Sequence, residues 1–215
     1  FFITTSNTTC TATRPAPPGS SVPDCINPGF AWNHGDIQPE IANNWLGLVG
    51  PGVRHRGIDA TTWTDHTNVR PTILELAGLK DDYVLDGRVL IEALSSDAVA
   101  QSLRAHRETL VQLGAAYEQV NASFGRFGLD LLTASTRALK SGSATSDSTY
   151  TSIETTIKDL TAKRNALADE IKAALNAAAF GNQAVNEQQA ERWIDRAESL
   201  LDQASELAGG DNQND

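Results

Sequence analysis

From residue 97 onward, apolar positions recur in alternating steps of four and three: Val99, Leu103, His106, Leu110, Leu113, Tyr117, Val120, Phe124, Phe127, Leu131, Ala134 and Ala138. This is the period of a single stripe along an amphipathic helix. It predicts a helix over Asp97–Leu139, which would reach on the order of 60 Å if uninterrupted. Gly125 and Gly128 fall inside it. Each interior glycine costs about 1 kcal/mol relative to alanine, so a local bend is expected there. The polar run Ser141-Gly142-Ser143-Ala144-Thr145-Ser146 ends the helix.

A second seam follows at Ile153, Ile157, Leu160, Leu167, Ile171, Ala174 and Ala178, broken only by Arg164. After Phe180-Gly181-Asn182, a third carries Ala190, Ile194, Ala197, Leu201, Ala204 and Ala208, with Trp193 beside it. Each helix alone would leave its stripe in water, so residues 96–210 are expected to pack as an antiparallel bundle. Arg164 and His106 occupy seam positions; a bundle end, snorkelling, or pairing with a carboxylate such as Glu118 or Asp130 would each accommodate them. Residues 211–215 lack an apolar anchor and read as a disordered tail.

Before residue 95 the pattern is different. Trp45-Leu46-Gly47-Leu48-Val49 reads as a buried strand running into the turn Gly50-Pro51-Gly52-Val53. Within the segment Thr64–Leu79 a helix follows His66, with Pro71 in its first turn, Asp65 or Thr67 as cap and Gly78 as left-handed stop. Trp32-Asn33-His34-Gly35-Asp36 places one potential metal-ligand histidine on a glycine-hinged loop. A hydrogen-bonded surface histidine would satisfy the same residues. His55, between Arg54 and Arg56, reads as part of an exposed basic turn, and His66 as a capping or surface residue.

The order of these signals carries more than any one of them. His34-Gly35, the strand ending in Gly50-Pro51-Gly52, the segment Asn68-Val69-Arg70-Pro71-Thr72-Ile73-Leu74-Glu75-Leu76-Ala77-Gly78 and the turn Asp86-Gly87-Arg88-Val89-Leu90 follow one another. Together they resemble the C-terminal end of the catalytic domain in the alkaline phosphatase superfamily, nearest its phosphodiesterase, nucleotide pyrophosphatase and sulfatase branches. The resemblance spans roughly residues 30–95, less than half of the chain. It implies that His34 is a ligand of one zinc, or another divalent metal, in a two-metal centre that activates a nucleophile and stabilises charge on a phosphoryl or sulfuryl oxygen. No other residue inherits a role.

That family's nucleophile and remaining metal ligands precede this region, and residues 1–29 do not reproduce them. Thr4, Thr5, Thr8 and Thr9 lie in a polar run without neighbouring carboxylates or histidines. Phe1-Phe2-Ile3-Thr4 reads as the end of a buried strand. The expected fold is therefore an α/β fragment over residues 1–95, the end of an alkaline phosphatase-like domain, followed by the all-α bundle, with helix predominating. On this reading the chain is the C-terminal portion of a longer hydrolase, inactive alone, whose first partner is its own upstream catalytic portion.

A net charge of −10 and a pI near 4.8 weigh against non-specific binding to nucleic acid or anionic lipid. No run approaches the roughly 18 apolar residues of a membrane span, so no insertion is expected in this portion. Cys10 and Cys25 enclose a loop rich in Pro, Gly and Ser, for which a disulfide is the natural staple. Closing it would remove about 3 kcal/mol of unfolded-state entropy. Such a bridge implies an oxidising compartment, hence an extracellular or cell-envelope location.

Two functions of different class follow. One is a secreted metal-dependent phosphoesterase, or related sulfuric ester hydrolase, carrying an appended bundle. The other is a non-catalytic extracellular protein whose helices bind a partner or self-associate.

Overall fold

A computed structural model describes residues 42–141 and 148–209. The chain divides into two compact units, Phe1–Gly47 and Leu48–Asp215. Only residues 42–47 of the first are described, and there Trp45 is 90% exposed. His34, Cys10 and Cys25 lie outside the described residues.

Helix dominates the second unit: α1 (Val69–Ala77), α2 (Gln101–Ala105), α3 (Arg107–Asn121), α4 (Arg126–Ser141), α5 (Ser148–Phe180) and α6 (Glu187–Ala208). Hydrogen bonds between the helices fix their directions. Ser102 Oγ donates to Ala178 O at 2.6 Å, and Arg164 Nη1 lies 3.4 Å from the carbonyls of Val120 and Asn121. Thus α3 runs opposite to α5. His106 meets Glu187 at one end, while Arg137 donates to Ala208 O at the other, so α6 runs alongside α3 and α4 in the same sense. The result is an up-down-up bundle whose first arm is the pair α3 and α4.

The predicted single helix over Asp97–Leu139 is broken twice. At His106 the backbone leaves helical geometry (φ −123°, ψ 38°) between α2 and α3. At Ala122 it turns extended (φ −67°, ψ 146°), and Gly125 N–H donates to Ala122 O at 2.9 Å before α4 begins. A Cβ on Gly125 would sit 2.6 Å from Glu118 O, so the turn closes tightly only on glycine. Both breaks keep the seam in phase, and its residues share one core: Leu110, Leu113, Tyr117, Val120 and Phe127 pack with Leu167, Ile171, Ala197 and Leu201.

The two polar seam residues find different solutions. His106 Nδ1 lies 2.9 Å from Glu187 Oε1 at the start of α6, where it closes one end of the bundle. Arg164 stacks its guanidinium 5.4 Å from the centre of the Phe127 ring and faces the last carbonyls of α3, where a cation complements the helix dipole.

No strand occurs among the described residues, and the predicted α/β fragment is not seen there. Trp45–Val49 carries no ladder; Trp45 and Val49 face solvent. An extended apolar run becomes a strand only when another strand takes its backbone groups. The one β-type pairing among the described residues is an isolated antiparallel bridge between Val53 and Leu94. The turn before it does form, with Val53 N–H donating to Gly50 O at 3.2 Å and Gly52 at φ 80°. Helix α1 also forms, with Pro71 in its first turn, but its N-cap is Asn68, without a side-chain bond, rather than Asp65 or Thr67. Asp65 accepts from Thr67 N–H at 2.8 Å in the 3₁₀ turn leading in, and Gly78 stops it at φ 64° with bonds to Glu75 O and Leu74 O.

The change in composition near residue 95 does not coincide with a break in packing. Val89, Ile91 and Leu94 belong to the same core as α3, α5 and α6.

Candidate functional site

The polar centre of the molecule is a buried cluster that ties the segment before the bundle to α3. Arg88 follows the Asp86-Gly87 turn, and its guanidinium grips Glu92 with both forks, Nη1 to Oε2 at 2.8 Å and Nη2 to Oε1 at 2.6 Å. Nη2 also donates to Glu118 Oε2 at 3.1 Å, while Nε lies 3.1 Å from Glu118 Oε1 without the alignment of a hydrogen bond. Asn68, at the entrance to α1, completes the set. Its Nδ2 donates to Glu118 Oε1, and its Oδ1 accepts from Arg88 N–H at 3.1 Å. All four side chains are buried.

Two glycines make the approach possible. A Cβ at Gly87 would collide with the backbone of Thr67 and Asn68, and one at Gly114 would lie 2.8 Å from Arg88 Nε. Gly114 and Glu118 are one turn apart on α3, so the helix offers Arg88 a floor and a carboxylate on the same face.

One arginine against two carboxylates leaves the cluster with net charge −1. Burial raises the Glu118 pKa above its ordinary value, against the opposing pull of Arg88 and Asn68. For Arg88, burial works against the charge, yet the hydrogen bond to Glu92 and the charges of Glu118 and Glu92 hold its pKa above the usual value. A buried, paired ion cluster of this kind, in which only Arg88 Nε makes no hydrogen bond, ties together the elements it joins.

The cluster opens on a cleft of about 340 Å³ lined by Asp65, Thr67, Asn68, Asp86, Tyr117, Glu118 and residues 121–123. Its polar groups are committed to one another. Tyr117 Oη donates to Asp86 O at 2.6 Å and accepts from Asn121 Nδ2 at 2.9 Å; burial, then the Asp86 charge, push its pKa well up. Asp86 Oδ1 holds Lys172 at 3.1 Å. Asn176 on α5 pairs with both backbone groups of Leu85, at 3.0 and 3.4 Å. The cleft is thus a seam between the leading segment and the bundle, braced by Tyr117, Asp86 and Asn68.

Of the sequence-predicted site residues, His34, Cys10 and Cys25 lie outside the described residues. His55 and His66 are both exposed, and among the described residues no three His, Cys, Asp or Glu side chains assemble a metal site. The described residues therefore do not themselves fit a two-metal centre. The buried cluster, in turn, was not visible as a site in the sequence. Its one local signal is the spacing of Arg88 and Glu92, one helical turn apart within the apolar run 89–94.

No family model, curated protein or solved structure matches the chain.

Proposed function

We propose that this chain is the C-terminal part of a secreted, metal-dependent phosphoesterase-like hydrolase of the alkaline phosphatase superfamily, in which the helical unit braces the end of the catalytic fold. The observation that carries this reading is the exposure of large apolar side chains in the segment bearing the resemblance. Val49 and Ile58 are almost fully exposed, and Ile73, Leu79, Tyr83 and Val84 are more than half exposed. Helix α1 buries Pro71, Thr72 and Glu75, packs Leu76 against the core and presents Ile73 outward. Single exposed apolar residues are ordinary, but six large ones between residues 49 and 84 fit a segment that something else covers. The upstream catalytic portion of the same protein is the cover that the motif order implies.

In that protein His34 serves as one zinc ligand, and the nucleophile and other ligands come from residues preceding Phe1. The test is His34→Ala in the longer gene product. Loss of zinc together with a large fall in phosphoester or sulfate ester hydrolysis is expected. Unchanged zinc content and turnover would refute the assignment.

A second reading, an extracellular helical interaction protein, is favoured by one other feature. Leu129, Leu132 and Leu139 are exposed along one side of α4 at helical spacing. A longer gene product without hydrolase residues, together with concentration-dependent self-association lost in Leu132→Glu/Leu139→Glu, would decide for it.

A further inference from the structure

The leading segment and the start of α3 place three arginines around one short turn. The strip 52–56 lies against residues 91–95: Arg54 N–H donates to Ala93 O at 2.9 Å, and Ser95 N–H to Gly52 O at 2.8 Å. Two guanidiniums then hang from the carbonyls of the 3₁₀ turn Ile91–Ala93 and its end. Arg54 Nη1 lies 3.5 Å from Glu92 O, and Arg107 Nη2 donates to Ile91 O and, at 2.7 Å, to Leu94 O. Arg56 follows two residues after Arg54, and both are exposed together with His55.

Among the described residues none of these three arginines forms an ion pair. Glu92, whose charge reaches Arg107, is held by both forks of Arg88. Nη1 of Arg107 is covered and has no hydrogen-bond partner. Burial, then the charge of Arg54, with Arg56 adding and Glu92 opposing, lower the Arg107 pKa from its usual value. In a chain with 17 Lys and Arg against 27 Asp and Glu, like charges held this close are a local exception to the surrounding potential. Arg107 is also the first residue of α3, whose N-terminus receives no side-chain cap and carries one acidic residue, the exposed Glu108, in its first turn.

We propose that Arg54, Arg56 and Arg107 form a binding site for a dianionic tetrahedral oxyanion, of which inorganic phosphate is the simplest. Arg54 and Arg56 supply the exposed forks that contact the anion, and Arg107, anchored to the turn, supplies fixed charge behind them. Planar guanidinium forks match the oxygen edges of phosphate and sulfate, and two or three positive charges favour a dianion over a carboxylate. The proposal is independent of the hydrolase reading, because it concerns binding alone.

The test is thermal unfolding of the full chain at pH 7.5, titrated with sodium phosphate, sodium sulfate or sodium acetate at ionic strength held constant with sodium chloride. Phosphate and sulfate should raise Tm in a saturable way, and acetate should not. In Arg54→Gln/Arg56→Gln the apparent affinity should fall by about tenfold or more, the loss expected for removing charge-assisted hydrogen bonds. Arg56→Gln alone repeats the test with one exposed change, and Lys158→Gln, in a surface pair on α5, should leave the titration untouched. A response equal in wild type and both arginine variants, a response equal with acetate, or no saturable response to phosphate would each overturn the proposal.

Discussion

Arg88 and Glu118 meet in the interior with Nη2 3.1 Å from Oε2, which joins a turn ahead of the bundle to the C-terminal part of α3. Because Arg88 also holds Glu92, removing it leaves Glu92 without its ion pair and Glu118 with Asn68 alone. Arg88→Met should therefore destabilise the protein by roughly 3–5 kcal/mol, the usual cost of breaking a buried ion pair from one side. Urea unfolding at pH 7 measures this. Replacing Arg88, Glu92 and Glu118 together by Met, Leu and Leu should recover most of the loss, since no buried charge is then left alone. A triple variant no more stable than Arg88→Met would show that the cluster is not the source.

Gly114 reverses the ordinary rule for helix interiors. Alanine there would normally stabilise by about 1 kcal/mol. Here a Cβ would lie 2.8 Å from Arg88 Nε and press on the aliphatic stem as well. Gly114→Ala should thus lower Tm, and the effect should shrink in the Arg88→Met background, because the obstruction is the arginine itself. Equal shifts in both backgrounds would refute that coupling.

Glu75 gives a pH dependence with a definite sign. Its carboxylate is buried and accepts from Ala100 N–H at 2.5 Å; burial raises its pKa above the ordinary 4.5, and that hydrogen bond opposes the rise. A raised folded-state pKa means that the folded protein holds the proton more tightly than the unfolded chain. The associated stability is present below pH 4.5 and is lost as pH rises through the folded value. Glu75→Gln keeps an acceptor for Ala100 and removes the charge. The variant should be more stable than wild type at pH 7 to 8, and the advantage should fade on acidification to pH 4.

How much of this was legible in the sequence depends on the range of each interaction. The seams were readable because Leu110, Leu113, Tyr117 and Val120 need only a local period to reveal their common face. The bend expected at Gly125 is present, as the turn over residues 122–125. The break at His106 was hidden, because the residue holds a seam position and the phase continues across it. The strand read at Trp45–Val49 failed for the opposite reason: an apolar run names no partner, and among the described residues none is present. The buried cluster lay beyond local reading, since Asn68 and Arg88 reach Glu118 from 50 and 30 positions away. Helix α1 was predicted from Pro71 and its Gly78 stop, but the burial of Thr72 and Glu75 was not, because their partners, Leu90 N–H and Ala100 N–H, lie 18 and 25 positions away.

That long-range packing decides where the folding unit begins. A chain cut at residue 96 retains all three seams, and from periodicity alone residues 96–210 should fold as an independent bundle. The structure argues otherwise. Leu85, Val89, Leu90, Ile91 and Leu94 are buried, and three of them sit in the core shared with α3, α5 and α6. Each such side chain contributes about 1.5–3 kcal/mol on burial. Their combined loss is comparable with the roughly 5–15 kcal/mol that holds a typical domain together. The cut also leaves Glu118 buried without Arg88 and Asn68, and removes the carbonyls of Ile91 and Leu94 that receive Arg107. Residues 96–209 should therefore keep helical circular dichroism but melt broadly and bind a hydrophobic dye, whereas residues 48–209 should melt in one cooperative transition. Equal cooperativity and equal Tm for the two fragments would show that the segment before the bundle is an ornament rather than part of its core.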